Sequence, residues 1–191
     1  MEGFCNKIEN RTVYPILIKN NGKSYLTLYY YTKHADSVLH NDEKRILYFD
    51  FPSEMEAFCE ENNLVIENDI VEYDFDTPIE NPPDYRSILE NWNLLNTIAS
   101  TFSMFFEGDR FKYNSLYDLL FRLYNPNSFL PKTHKLCNKD YTMLLKVFRK
   151  KNRFLTLFFA IFVNNICHFK QKFITKRNIF ETAHENNNYC L

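Results

Sequence analysis

Residues 12–32 read TVYPILIKNNGKSYLTLYYYT, two strand-like runs on either side of a turn. Thr12 to Lys19 is apolar and β-branched, the kind of run that suits a pleated, half-buried surface. Asn20-Asn21-Gly22-Lys23 follows as a turn, because Asn and Gly adopt positive φ at little cost. Ser24 to Thr32 then runs through Tyr25, Leu26, Thr27, Leu28, Tyr29, Tyr30 and Tyr31, a strong strand signal. The N-terminus therefore reads as a hairpin.

Working outward, the polar stretch Lys33 to Arg45 reads as a loop and Ile46 to Phe51 as a third strand. Ser53 is placed to cap a short helix over Glu54 to Glu61, with Glu56 completing a capping box. Asn62-Asn63 ends that helix. Leu64 to Asp76 is extended, as a strand or as a short hairpin around Asn68-Asp69. Pro78, Pro82 and Pro83 mark a connector over 78–84, since proline removes a donor and disfavours helix before it. Beyond it the pattern turns helical. From Tyr85 to Phe106, apolar residues such as Ile88, Leu89, Trp92, Leu95, Ile98 and Phe102 recur three and four apart, and Gly108 is placed as the stop. Ser115 to Tyr124 reads as a second helix with Leu116, Leu119, Leu120 and Leu123 inward. Asp140 to Lys151 and Arg153 to Phe169 read as two more, broken near Asn152.

The fold class expected is α+β: an N-terminal antiparallel sheet with a short helix, followed by a mainly helical C-terminal half. It is read as a single domain over 1–191. Residues 1–77 form its sheet-rich acidic part, 85–180 its helical part (basic after 132), and 181–191 a frayed tail. With 191 residues, 45% of them hydrophobic, the chain is long and apolar enough for one core.

Composition excludes several function classes. Gly3, Gly22 and Gly108 are the only glycines and stand far apart, so neither a phosphate-cradling loop nor a dinucleotide fingerprint can be assembled. Cys5, Cys59, Cys137, Cys167 and Cys190 are odd in number and widely spaced, which argues for reduced thiols rather than a disulfide framework or zinc ribbon. Met1 to Asn10 carries acids and no apolar stretch, so no signal peptide is read there. Phe154 to Val163 is apolar but shorter than the roughly 20 residues a membrane span needs, and is read as a buried helix. A cytoplasmic location without a membrane role is expected.

The net charge of −1 hides a split. Residues 1–95 hold 8 Lys and Arg against 18 Asp and Glu, a net −10, whereas residues 96–191 hold 15 against 6, a net +9. Between Ile46 and Tyr85 there are twelve acids and no base. Carboxylates at this density repel one another unless a cation answers them. The plain reading is a solvated face; the functional one is a docking surface for a basic partner such as a nuclease, whose active site must be positive to hold phosphates. The contact candidates are Glu54, Glu56, Glu60, Glu61, Glu67, Asp69, Glu72, Asp74 and Asp76. They lack the spacing of a calcium loop, and no metal, cofactor or catalytic residue is expected.

The mirror case is Lys132 to Arg177, with twelve bases, Asp140 as the one acid, and Phe148, Phe154, Phe169 and Phe173 interleaved. Bases neutralise phosphates and rings stack on nucleobases, so nucleic-acid binding through Lys150, Lys151 and Arg153 is the alternative function. The plainer reading makes the phenylalanines core and the bases rim. His134 with Cys137, and Cys167 with His168, lie close in sequence, but a nucleophile needs an imidazole within hydrogen-bond reach and a third group to orient it. His34 and His40 lack a second pair to complete zinc coordination.

Several segments look familiar together. They are Val71-Glu72-Tyr73-Asp74-Phe75-Asp76 before a proline-rich connector, then Glu90-Asn91-Trp92-Asn93-Leu94-Leu95. Ile46-Leu47-Tyr48-Phe49 before the acidic helix at Glu54 to Glu61, and Phe106-Glu107-Gly108 before a Leu/Tyr helix, belong with them. Over roughly the first two-thirds of the chain this pattern resembles the immunity proteins of bacterial contact-dependent growth inhibition. The resemblance implies a cytoplasmic protein that neutralises one cognate toxin domain, commonly a nuclease, by binding it. It brings no catalytic residues, and the segment after Lys132 has no counterpart in it.

Overall fold

The computed structural model describes residues 8–41, 44–79, 83–125 and 135–163. The chain divides into two compact units, Met1–Leu155 and Thr156–Leu191. The architecture below is that of the first; of the second, only the end of one helix falls among the described residues.

The hairpin forms as its sequence dictates. β1 (Thr12–Asn20) pairs antiparallel with β2 (Lys23–Tyr31), with Tyr14 opposite Tyr29 and Ile16 opposite Thr27. Asn21 and Gly22 have φ of 53° and 69°, the left-handed pair that matches the twist of a two-residue turn. The Asp76 carboxylate accepts from both turn amides, Asn21 N at 2.6 Å and Gly22 N at 2.8 Å.

The fold class is α+β, but the sheet is mixed rather than antiparallel. Its order is β3–β2–β1–β4, with β5 also on β1. β3 (Asp36–Val38) lies antiparallel to β2, while β4 (Val65–Ile66) and β5 (Val71–Asp74) both lie parallel to β1. The segment 64–76 is thus neither one strand nor a hairpin; it is an edge strand interrupted by Glu67–Ile70. Pro15 gives the reason. The carbonyls of Val13 and Lys19 accept from Glu67 N and Phe75 N, so odd residues of β1 turn their backbone groups toward this edge. Pro15, in the middle of that row, has no N–H to give, and the ladder lapses opposite it.

Other local expectations shift for similar reasons. Ile46 and Phe49 make only isolated bridges, to His40 and Leu26, so 46–51 is not a strand. β3 lies inside the stretch read as a loop. α1 (Pro52–Glu61) is entered at Phe51 with Pro52 in its first turn and no side-chain cap, where proline's fixed φ and missing donor are harmless. Ser53 is not its cap, and it is Glu54 that reaches back, accepting from Asp50 N at 3.0 Å. α2 (Tyr85–Phe102) is capped by Asp84 and stops at Ser103, left-handed at φ 54°, with Met104 N returning to Ala99 O at 2.8 Å. Gly108 is therefore not its stop. α3 is Asn114–Tyr124. α4 is one helix, Asn138–Val163, running unbroken through Asn152. Residues 164–180 of the expected helical part, and the tail 181–191, lie outside the described residues.

Both faces of the sheet are covered, which is why β1 reads as an almost continuous apolar run. On one face Val13, Leu26, Leu28 and Tyr30 pack with Met55, Phe58 and Cys59 of α1. The other face meets α2. Behind α2, Trp92 is 1% exposed and meets Phe106, Tyr117 and Phe148 edge-on, with centroids at 6.0, 5.8 and 6.1 Å. Gly108 sits beneath this cluster. A Cβ there would stand 2.3 Å from Phe106 Cε1 and 2.9 Å from Trp92 Cε2, so only glycine fits.

Candidate functional site

The nine carboxylates singled out from the sequence fall into two groups. Five have structural partners. Glu54 holds the entry of α1. Glu67 accepts from Tyr14 Oη at 3.2 Å. Glu72 pairs with Lys19 at 2.7 Å. Asp76 holds the hairpin turn. Asp74 accepts from Asp76 N and from both Thr77 N and Thr77 Oγ1; the Thr77 hydroxyl, first among these, keeps its pKa below the ordinary value. The other four, Glu56, Glu60, Glu61 and Asp69, are exposed, and their carboxylates have no ion-pair partner among the described residues.

Three of those four share the outward surface of α1, whose inward side is Met55, Phe58 and Cys59. Glu56 and Glu60 are one turn apart, a like-charge pair that weakens a helix. Glu60 and Glu61 occupy the last turn, which holds no base, although the negative end of the helix dipole favours cations there. Nothing in the folding of α1 calls for these charges. Asp69 lies in the loop that interrupts the edge strand.

Part of the basic segment is spent inside the molecule. Lys151 is 8% exposed, donates to Phe75 O at 2.7 Å, and lies over the rings of Phe75 and Phe148 at 5.4 and 5.5 Å. Burial pushes its pKa down, and Asp74 and Asp76 oppose that. Lys150 pairs at 3.2 Å with Glu107, which also takes Arg110 at 3.2 Å and Lys112 at 3.1 Å. Glu107 is 6% exposed. Burial raises its carboxyl pKa, but Lys112, Lys150 and Arg110 together outweigh it and hold the group below the ordinary range. Sequence reading named this residue only within the segment Phe106-Glu107-Gly108 and gave it no role, because its cations come from two separate segments. Phe148 and Phe154 are core; the Arg153 side chain, Phe169 and Phe173 lie outside the described residues. Lys135, Lys139, Lys146 and Arg149 are exposed.

The structure adds a site the sequence reading missed. Between the sheet and α2 lies an open cleft of about 650 Å³. Tyr14, Tyr29, Tyr31 and Tyr73 line it from the strands, Glu90, Asn93 and Thr97 from one face of α2, and Tyr117 from α3. Tyr31 meets Tyr14 at 5.3 Å and Tyr29 at 5.4 Å, nearly perpendicular in both cases. Tyr29 donates to Asp36; burial first, and this carboxylate second, push its pKa far above the ordinary value. Two signals pointed here. Tyr29 and Tyr31 share one face of β2, and Glu90, Asn93 and Thr97 repeat at helical spacing along a side of α2 that faces the sheet.

The remaining candidates do not assemble. Cys137 is exposed and its Sγ donates to Asp140 Oδ2 at 2.9 Å, where the same oxygen caps Cys137 N; its pairing with His134 lies outside the described residues, as do Cys167 and His168. His40 faces its neighbour's carbonyl, Asn41 O, at 2.8 Å. Among the described residues no three His, Cys, Asp or Glu side chains form a metal-binding group, and no helix is long and apolar enough to cross a membrane.

No protein-family model and no curated protein matches the chain. Among solved structures, the chain is similar in fold to the C-terminal domain of SatS, crystallised in complex with bromine. The TM-score is 0.50 at 15% identity, over 78% of this chain and 92% of that one. At that identity the likeness speaks for the fold alone.

Proposed function

We propose that this chain is an immunity-type binding protein, cytoplasmic, that neutralises a cognate toxin domain by filling the toxin's phosphate-binding cleft with carboxylates. The observation that carries the reading is the outward face of α1. Glu56, Glu60 and Glu61, joined by Asp69 in the neighbouring loop, are exposed without cationic partners among the described residues, and the three glutamates sit where helix energetics disfavours them. A surface that costs its own helix stability is explained by a partner that supplies the missing charge. Such a partner is basic, and a nuclease is basic at its active site by necessity. Opposed potentials would also speed the encounter and fix its orientation. The resemblance to contact-dependent growth-inhibition immunity proteins supports the same reading.

The test is co-expression with the product of the neighbouring gene, followed by affinity capture of the tagged chain. A stoichiometric, salt-sensitive complex with a basic protein, and relief of that protein's toxicity, is the expected result. Nucleic acid in the eluate with no protein partner would overturn the proposal and turn attention to the exposed bases Lys135, Lys139, Lys146 and Arg149.

A further inference from the structure

We infer that the tyrosine-lined cleft between the sheet and α2 is a binding site for an organic cation, a guanidinium or ammonium group. The inference stands apart from the acidic face of α1, which covers the opposite face of the sheet. Charge is the first argument. The lining includes Asp36 and Glu90, and among the described residues that line it there is no Lys, Arg or His. Arg86 holds Glu90 at 2.8 Å, while Asp36 has no cationic partner among the described residues.

Hydrogen-bond accounting is the second argument. A tyrosine hydroxyl has one proton to give. Tyr29 gives its proton to Asp36, Tyr117 to Asn93 Oδ1 at 2.8 Å, and Tyr14 to Glu67 Oε2 at 3.2 Å. Thr97 in turn donates to Tyr29, and what these hydroxyls still offer a ligand is their remaining lone pairs. Asn96, also in the lining, has a buried Oδ1 with no hydrogen-bond partner among the described residues. These acceptors, with the Asp36 carboxylate, suit guanidinium and ammonium groups, which carry only donors.

Ring geometry is the third. Tyr31 stands at 77° to Tyr14 and 84° to Tyr29, and the quadrupole of an exposed tyrosine ring attracts cations to its face. Tyr31 is 44% exposed, so an incoming group can reach it. The volume lies within the range of small-ligand sites.

The test is calorimetric titration of the whole protein with butylguanidinium, with its neutral isostere butylurea, and with N-acetyl-arginine methylamide. Saturable one-to-one binding of butylguanidinium, at least tenfold tighter than butylurea, is expected. Asp36→Asn keeps an acceptor for Tyr29 and should weaken binding about tenfold with unchanged thermal unfolding; Tyr31→Leu should do the same. If the blocked arginine binds as well as butylguanidinium, the cation arrives as a side chain on a polypeptide. If butylguanidinium binds and the blocked arginine does not, it arrives as a free small molecule. Equal binding of butylurea, no saturable binding of either cation, or wild-type affinity in both folded variants would overturn the inference.

Discussion

Replacing Glu107 by Gln removes one charge and changes almost no volume, so it isolates what the buried carboxylate does. Oε2 takes Arg110 and Lys150, and Oε1 takes Lys112 and a long bond from Tyr113 Oη at 3.4 Å. An amide has one acceptor oxygen and a donor NH2 group. However it turns, its NH2 faces at least one of the cations, and three cations are left beside one another. Breaking a buried ion pair from one side costs roughly 3–5 kcal/mol. The three cations are each more than half exposed, so water recovers part of that, and about 3 kcal/mol is expected. For a unit of this size that lowers Tm by roughly 6–12 °C. Urea unfolding can be followed through Trp92, the single tryptophan, which packs on Phe106 beside the site. The pH dependence gives a second check. The folded carboxyl titrates below its ordinary 4.5, so as pH falls through that region the unfolded chain takes up more protons and stability drops. The gap between wild type and variant should be full at pH 7 and narrow below pH 4.5. A loss under about 0.5 kcal/mol at pH 7, the size of an ordinary surface change, would refute the role given to Glu107.

Other substitutions test separate joints. Gly108→Ala forces a methyl into the Phe106 and Trp92 rings and should cost about 1–3 kcal/mol, read by the same unfolding curves; a neutral result would mean the cluster is loosely packed. Asp76→Ala frees both turn amides and should cost about 1–2 kcal/mol, with faster amide exchange at Asn21 and Gly22. Glu60→Lys with Glu61→Lys should stabilise the isolated protein by about 0.5 kcal/mol, by removing repulsion and matching the helix dipole, while weakening its complex with the basic partner. Stability and binding moving together would contradict the proposal.

The hairpin, the Asn62-Asn63 stop and the amphipathic pattern of α2 were legible because each is local: turn residues, cap residues and apolar spacing act within a few positions. The direction of β4 and β5 was not, because extended residues carry no mark of which strand they join or in which sense. Pro15 hinted at a gap in the ladder only once the sheet had placed it on a central strand. The acidic run was visible as charge, but sequence could not separate Glu72, Asp74 and Asp76, which bind Lys19, Thr77 and the hairpin turn, from Glu56, Glu60 and Glu61, which bind nothing described. Likewise Lys150 and Lys151 read as a basic patch, though one answers Glu107 and the other is buried on Phe75. The cleft needed three elements brought together, and only its tyrosines stood out beforehand.

The most direct test of the account is the affinity of the chain for the product of its neighbouring gene across a salt series, for wild type and for the variant Glu56→Gln, Glu60→Gln, Glu61→Gln, Asp69→Asn. The account predicts a tight wild-type complex that weakens as salt rises, and a folded variant that binds at least tenfold less tightly with a shallower salt dependence. Equal affinity and equal salt dependence in the two proteins would contradict it.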